Sequence, residues 1–216
     1  MVLLQVALDL IDIKRALKIA KICVNEGFDI VEAGTPLIKR FGVEVLRVLR
    51  EKASPPYLLA DTKTVDAAEV EVRLVKDFGG DYATVMGIAP RETVEVFIRA
   101  CREAGVGAVI DLMNIKDPLA YLQRLTAMPR MVCLHVGIDV QRRRGVMAGD
   151  LAAEVGEARR YLPSGVLVAV AGGLTPRTAP KLLEAGADVI IVGGAITKSK
   201  DPRSVARELV EVCKDV

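Results

Sequence analysis

The sequence predicts an α/β protein, a single (β/α)8 TIM barrel in which residues 1–216 form one domain. Three observations support this: eight short apolar runs, helical patterns between them, and a glycine near the end of four helices. Of the 216 residues, 51% are hydrophobic, which is enough for one sizeable core. Eight regular units without a long insertion favour a closed barrel over the alternative, a doubly wound open sheet.

The predicted strands are short runs that are almost continuously apolar. Strands covered by helices on both faces have this pattern, so the runs indicate a parallel sheet. In chain order they are Val2–Leu8, Asp29–Ala33, Tyr57–Ala60, Tyr82–Met86, Val106–Ile110, Met131–Leu134, Val166–Val170 and Val189–Val192.

Between the strands, apolar residues recur at helical spacing, and eight helices are expected in strict alternation with the strands. Capping residues predict where some helices begin and end. The expected N-caps are Asp12, Asp66 and Thr175, with Pro176 and Pro202 at first helical positions. The expected left-handed C-terminal residues are Gly27, Gly79, Gly105 and Gly186.

Composition excludes several classes of protein. With 30 basic and 28 acidic side chains, the chain has no charge excess suited to nucleic acid or to an anionic membrane. The apolar run Met1–Leu8 is too short for a membrane span and lacks the features of a secretion signal. Four widely spaced cysteines without a CxxC pattern indicate buried thiols in a reducing compartment. We therefore expect a soluble cytoplasmic protein.

Polar residues collect at the carboxyl ends of the predicted strands, where TIM barrels carry their chemistry. They are Asp9, Glu32, Asp61, Lys63, Asp111 and His135, the only histidine in the chain. A single strand-end carboxylate often only caps the next helix. A ring of carboxylates with one lysine and one histidine instead predicts a shared cavity. His135 is expected to be catalytic in that setting, although a lone histidine is more often part of a core.

The segment Ala60–Asp66 carries the sharpest local signal. Asp61 and Lys63 are two residues apart on an extended segment, so both side chains are expected on the same side. Lys63 between carboxylates should stay charged and could stabilise an oxyanion. The alternative is a solvated turn with ordinary ion pairs.

Glu32 and Asp61 are expected to form a metal site because they end neighbouring strands. Two close carboxylates repel each other unless one is protonated or a cation lies between them. Oxygen ligands suit a hard ion, and Mg²⁺ is the expected one.

Two glycine pairs follow the last two strands, Gly172–Gly173 and Gly193–Gly194. Many barrels bind phosphate at this position through backbone N–H groups, so both pairs are predicted to hold a phosphate. The alternative is a pair of tight turns that merely require glycine. The basic run Gln141–Gly145 is expected to be an exposed loop, with a lid over a phosphorylated substrate as the alternative.

With these residues in place, the sequence resembles the orotidine monophosphate decarboxylase superfamily, and within it the hexulose-6-phosphate synthases. EAGTPLIK and ADTKTVD are the most specific matches, and the resemblance covers essentially the whole chain. The matching segments are Leu4–Asp9, Glu32–Lys39, Ala60–Asp66, Asp111–Leu112, His135–Asp139 with Gln141, and Val192–Thr197.

The resemblance implies a reversible, Mg²⁺-dependent aldol reaction of ribulose 5-phosphate with formaldehyde through an enediolate. It assigns the metal to Glu32 and Asp61, enediolate stabilisation to Lys63 and proton transfer to His135. Asp9 and Asp66 would orient the sugar hydroxyls and Lys63, and Asp9 and Asp111 would bind the substrate. The resemblance also implies a homodimer in which Asp66 reaches the partner's active site.

Related activities remain as alternatives. Orotidine monophosphate decarboxylases resemble the DxKxxD segment but carry lysine in place of Glu32, where a carboxylate would repel orotate, so that activity is set aside. The closer competitor is 3-keto-L-gulonate-6-phosphate decarboxylase, which tends to have glutamate at Asp111, a polar residue near Ile138 and a hydroxyl near Ala171. A non-catalytic sugar-phosphate-binding barrel is the third possibility.

One position departs from the superfamily pattern. Many members carry a phosphate-binding arginine where this chain has Gly194. Lys198, Lys200 or an arginine of 142–144 could take its place.

Overall fold

The computed structural model describes residues 2–214, in which eight parallel strands close into a barrel in the order β1 to β8. This confirms the predicted fold, and every strand begins within one residue of its predicted start. The strands are β1 Leu3–Leu8, β2 Ile30–Ala33, β3 Tyr57–Thr64, β4 Tyr82–Met86, β5 Gly107–Asp111, β6 Met131–His135, β7 Leu167–Ala171 and β8 Val189–Val192.

The prediction of eight helices was wrong, because the described residues form eleven α-helices. A short additional helix follows each of β2, β6 and β8, within the segments that surround the carboxyl end of the barrel. The helices are α1 Ile13–Glu26, α2 Thr35–Phe41, α3 Val45–Ala53, α4 Ala68–Asp77, α5 Arg91–Ala104, α6 Pro118–Leu122, α7 Ile138–Arg144, α8 Ala152–Tyr161, α9 Ala179–Glu184, α10 Gly194–Thr197 and α11 Pro202–Lys214.

The predicted helix starts were partly right. The Asp12 carboxylate accepts hydrogen bonds from the first turn of α1, and α11 begins at Pro202. Asp66 is not an N-cap, because the chain makes one more turn and α4 begins only at Ala68. Thr175 and Pro176 were also placed wrongly, because they lie in a turn that precedes α9. All four predicted C-terminal glycines have positive φ.

Strand alternation divides the core into two layers. One layer packs between the strands and the surrounding helices and includes Leu4, Val31 and Leu58. The other fills the barrel interior with inward-facing residues such as Ile30, Leu59 and Val109. Two residues further along these strands, the inward-facing side chains are polar. These polar residues cover the apolar interior at the carboxyl end and form the floor of a cavity.

No helix within residues 2–214 is long and apolar enough to cross a membrane. The four cysteines, Cys23, Cys101, Cys133 and Cys213, are buried free thiols. Burial raises the pKa of the Cys23 and Cys101 thiols to about 12, so both stay protonated.

Candidate active site

A cavity of about 600 Å³ opens at the carboxyl end of the barrel. Ten of the eleven residues that the sequence predicts for the site line it, and Asp66 is the exception. They are Asp9, Glu32, Asp61, Lys63, Asp111, His135, Gly172, Gly173, Gly193 and Gly194. Thr84 of β4 lines the cavity as well. Residues from all eight strands or the positions directly after them therefore meet in one space, as the ring of strand-end residues predicted.

Strand β3 reaches the cavity in a way that the sequence did not predict. It was expected to end at Ala60, but it continues to Thr64, and its pairing with β4 shifts between these residues. Lys63 has φ of 48°, a left-handed conformation that is costly for a residue with a side chain. Thr84 holds this bulge, because its hydroxyl accepts a hydrogen bond from the Lys63 N–H at 2.9 Å. Asp61 and Lys63 thus meet through a bulge and not through extended alternation.

Lys63 lies between two buried carboxylates. Its Nζ is 3.0 Å from Oδ2 of Asp61 and 3.0 Å from Oδ2 of Asp111. Burial lowers the pKa of Lys63, but the charges of Asp61 and Asp111 raise it more, so the net pKa lies above the usual lysine value. Lys63 is therefore a permanent cation that cannot serve as a base at physiological pH.

Asp111 connects Lys63 to His135. Nδ1 of His135 lies 2.9 Å from Oδ2 of Asp111, and the Met113 N–H donates to Oδ1 at 2.9 Å. Burial alone would raise the pKa of Asp111, but the hydrogen bond with His135 and the charges of His135 and Lys63 lower it to about 2. The carboxylate is committed to these partners, so it orients His135 and Lys63. Its predicted contact with substrate stays a prediction.

The other side of the cavity has an excess of negative charge. Partial loss of water contact inside the cavity and the charge of Asp61 raise the pKa of Asp9, although its side chain keeps an exposed face. Burial and the charges of Asp61 and Asp9 raise the pKa of the buried Glu32 well above its usual range. A cation placed among these carboxylates would relieve the repulsion.

The carboxylate oxygens of Glu32 and Asp61 are suitable ligands for Mg²⁺. Within residues 2–214, no three His, Cys, Asp or Glu side chains are grouped to hold a metal by themselves. Mg²⁺ usually takes one or two carboxylates and completes its shell with water and substrate oxygens. Glu32 and Asp61 therefore fit an ion that binds together with a substrate.

The glycine pairs differ in how strictly they require glycine. Gly172 and Gly173 have φ of 122° and 72°. A Cβ on Gly172 would lie 2.5 Å from the Val136 carbonyl oxygen, and one on Gly173 would lie 2.6 Å from Sδ of Met147. At Gly194 a Cβ would meet only Lys198, at ordinary contact distance. The first pair is therefore needed for the backbone path, whereas a side chain would fit at Gly194.

Asp66 lies outside the cavity of its own barrel. It is exposed in the segment between β3 and α4, two residues before α4 begins. This position is compatible with the role in a partner's active site that the resemblance implies for Asp66. A role in the active site therefore requires a second barrel.

Three residues of the site were missed by the sequence analysis. The Thr35 and Thr84 hydroxyls donate to the two oxygens of Asp61 at 2.7 and 2.9 Å. Gln5 is buried, and its Nε2 donates to Oε2 of Glu32 at 2.6 Å. For Gln5 and Thr84, the available signal was a single polar residue within an apolar strand, as in LLQVAL and YATVM. Such residues hold the carboxylates in place.

Comparison with known proteins agrees with this geometry. Residues 3–209 match the family "Orotidine 5'-phosphate decarboxylase / HUMPS". The bifunctional enzyme Fae/Hps of Methanococcoides burtonii is 40% identical over 211 residues, which are 96% of this chain and 52% of that protein. The chain thus spans about half the length of the curated relatives that it matches.

Two solved structures have the same fold along nearly their whole length. A crystal structure of 3-hexulose-6-phosphate synthase has a TM-score of 0.87 and 35% identity, with 97% of this chain and 99% of that one covered. A crystal structure of KGPDC from Streptococcus mutans has a TM-score of 0.86 and 25% identity, with 99% and 97% covered. The family match over residues 3–209, supported by these likenesses, shows that the chain belongs to the orotidine 5'-phosphate decarboxylase / HUMPS family.

Proposed function

We propose that the chain is a 3-hexulose-6-phosphate synthase, which joins ribulose 5-phosphate and formaldehyde reversibly to give 3-hexulose 6-phosphate. The observation that carries the proposal is the chain of contacts Asp61–Lys63–Asp111–His135 inside the cavity. It places a permanent cation next to a histidine that can transfer a proton. The 35% identity to a 3-hexulose-6-phosphate synthase over nearly all of both chains supports the assignment.

His135 transfers the protons in this proposal. Asp111 holds its Nδ1, which leaves Nε2 for the substrate. Nε2 removes a proton from C1 of ribulose 5-phosphate, and the electron pair moves into the enediolate. C1 then forms a bond to the formaldehyde carbon, whose oxygen takes up the proton held on Nε2 and becomes the new hydroxyl group. The enediolate reverts to the ketone, so atoms and charge balance.

Lys63 stabilises the enediolate. Asp61 and Asp111 fix its ammonium group before substrate arrives, so little reorganisation is needed as negative charge develops. The left-handed backbone at Lys63, held by Thr84, is part of this arrangement. Asp9 would orient the sugar hydroxyls at the end of β1.

We propose Mg²⁺ as the cofactor, with Glu32 and Asp61 as its protein ligands. When bound, the ion would act as a Lewis acid toward the ketose oxygens. Gln5 and the two threonines hold the carboxylates in position for it. The excess of buried negative charge on this side of the cavity supports the proposal.

Gly172, Gly173, Gly193 and Gly194 are proposed to receive the phosphate. All four line the cavity. Gly172 and Gly173 have no side chain to stand between their backbone and the cavity, so a phosphate can approach the chain closely there. A phosphate here would lie at the end of the cavity formed by β7 and β8.

The competing activity is decarboxylation of 3-keto-L-gulonate 6-phosphate, which would need polar groups to guide a proton to the product. Ile138 and Ala171 instead place apolar groups on the cavity wall. A non-catalytic barrel would not be expected to keep Lys63 and both carboxylates in contact. The synthase is therefore favoured over both alternatives.

We also propose a homodimer that shares its active sites through Asp66. Exposed apolar side chains surround the open end of the barrel: Ile11, Val65, Ile88 and Ile138 are 46% to 71% exposed. A second barrel facing this end would cover them, and Asp66 would then be near the partner's cavity.

Mixed Asp66→Ala and Lys63→Ala subunits should regain part of the activity, because one site in each heterodimer is intact. Subunit exchange without recovered activity would contradict the shared site.

The reaction would take place in the cytoplasm, and the four free, buried cysteines support a reducing environment.

The decisive experiment measures consumption of ribulose 5-phosphate with formaldehyde and Mg²⁺. We expect consumption that depends on formaldehyde and is abolished by EDTA. A parallel assay with 3-keto-L-gulonate 6-phosphate should give a much lower rate. The opposite ratio would establish the decarboxylase, and no turnover in either assay would favour the non-catalytic barrel.

A further inference from the structure

The cavity contains basic side chains that differ in what they are paired with. Lys63 is paired with Asp61 and Asp111. Lys198 and Arg142 also line the cavity, and neither forms an ion pair within residues 2–214. The charge of Lys198 is close enough to Asp9 to oppose the rise in the pKa of that carboxyl. A phosphate dianion is repelled by the carboxylate side of the cavity, so it should bind where an uncommitted cation is available.

Lys198 has a defined position at this end of the cavity. It follows α10 directly, and its N–H donates to the Gly194 carbonyl at 3.0 Å. Its Nζ lies 3.7 Å from where a Cβ on Gly194 would be, and Cδ and Cε lie 3.9 Å from that point. The lysine therefore folds back over Gly194 and lies beside the space that a side chain at that position would use.

The backbone that carries Lys198 is anchored from outside the cavity. Nη2 of Arg15, on α1, donates to the Thr197 carbonyl at 2.6 Å. The Thr197 side chain is itself buried. The end of α10 is thus fixed to the barrel wall, which limits the positions that the Lys198 ammonium group can reach.

The other candidate cations are placed less favourably. Lys200 lies on an outer surface groove with Lys18 and Lys21, away from the cavity. Arg142 belongs to α7, which has no buried residue. A cation on such a helix is held less firmly than one on an anchored turn.

We propose that Lys198 is the cation that binds the phosphate group of the substrate, an inference that rests on the proposed function. The ammonium group lies over Gly194, in the cavity that both glycine pairs line. It provides the charge, and the glycines leave room for the phosphate to approach the chain. Lys198 acts in binding and takes no part in proton transfer, so its loss should affect affinity more than turnover.

The test compares Lys198→Met with Lys200→Met, which removes the same charge two residues away on the outer surface. We expect Lys198→Met to raise KM for ribulose 5-phosphate ~10- to 100-fold, the range for one hydrogen bond to a charged group. KM for formaldehyde and kcat should change little. Lys200→Met should match the unaltered enzyme.

Two further variants test the assignment. Lys198→Arg keeps the charge and should keep most of the affinity. Lys198→Met with Gly194→Arg should recover part of it, because a side chain at Gly194 starts within 4 Å of the Lys198 ammonium group. An unchanged KM in Lys198→Met, or the same loss in Arg142→Met alone, would overturn the proposal.

A binding measurement separates this inference from the proposed function. Calorimetric titration with ribulose 5-phosphate and with inorganic phosphate does not depend on turnover. If the unaltered protein binds both ligands but has no synthase activity, the proposed function fails while Lys198 can still be judged by the loss of binding in Lys198→Met. If the enzyme is active and the variant binds both ligands normally, only the Lys198 proposal fails.

Discussion

The two ends of the barrel use aspartates in opposite ways. At the amino end, Asp29, Asp81 and Asp188 each precede a strand, and their Oδ2 atoms accept hydrogen bonds from the N–H groups of Leu4, Leu58 and Val168 on the neighbouring strands, at 2.7 to 2.8 Å. Each also has its own cation. These cations are Lys214 for Asp29, Arg50 for Asp81 and Arg159 for Asp188.

At the carboxyl end there are more carboxylates than cations to pair with them. Asp61 and Asp111 share the single ammonium group of Lys63, while the buried Glu32 carboxylate and the more exposed Asp9 carboxylate repel each other and Asp61. Satisfied carboxylates join strands and stabilise the barrel. The crowded carboxylates lack enough positive charge, which a bound metal ion can supply. Chemistry is therefore expected at the carboxyl end and not at the amino end.

The largest expected effect is on the histidine of the crowded end. His135→Asn should lower kcat by roughly 10²- to 10⁴-fold, the usual contribution of a general acid or base. The free energy of unfolding should stay close to that of the unaltered enzyme, because His135 is only partly buried. Steady-state kinetics and urea unfolding check both statements. If the rate is unaltered, or if the variant does not fold, His135 has a structural role and not a catalytic one.

The next effect concerns the metal. Glu32→Gln removes a charged oxygen ligand and keeps the side-chain shape, so the Mg²⁺ concentration for half-maximal activity should rise more than ~100-fold. Outer partners of metal ligands alone often account for 10- to 100-fold in affinity. Titration with Mn²⁺, followed by electron paramagnetic resonance, measures binding without turnover. If metal affinity and Mg²⁺ dependence both stay unchanged, Glu32 is not a ligand.

The sequence predicted the barrel better than the details of its active end. Continuous apolar runs identified all eight strands, because inward and outward faces are both covered. The bulge in β3 could not be predicted, since it depends on the Thr84 hydroxyl reaching Lys63 from the neighbouring strand. Gln5 was overlooked for a related reason, because its role depends on a contact with Glu32, 27 residues away. Strand positions follow from local pattern, whereas such contacts follow from packing.

At the amino end, the expected effect is on stability and not on activity. Asp188→Ala leaves the Val168 N–H without its acceptor and removes the carboxylate that pairs with Arg159, so we expect the free energy of unfolding to fall by about 2–3 kcal/mol. At a temperature where the variant is folded, kcat and KM should be unchanged. Asp29→Ala is the matched control and should behave in the same way. A loss of kcat in folded Asp188→Ala would break the separation between the two ends.

The smallest expected effect is a dependence on pH that belongs to Asp111. Its pKa in the folded protein is about 2, against 3.8 for the ordinary side chain. The unfolded chain therefore binds the proton more readily between these values, and the stabilising contribution, present above about pH 4, is lost as the pH falls toward 2. The shift corresponds to about 2 kcal/mol. Urea unfolding of the unaltered protein and of Asp111→Asn between pH 6 and 2.5 should show the difference between them shrinking with acid. The raised pKa values of Asp9 and Glu32 act with the opposite sign, and both groups are present in the two proteins compared. A difference that is constant with pH would show that Lys63 and His135 do not hold Asp111 as the contacts indicate.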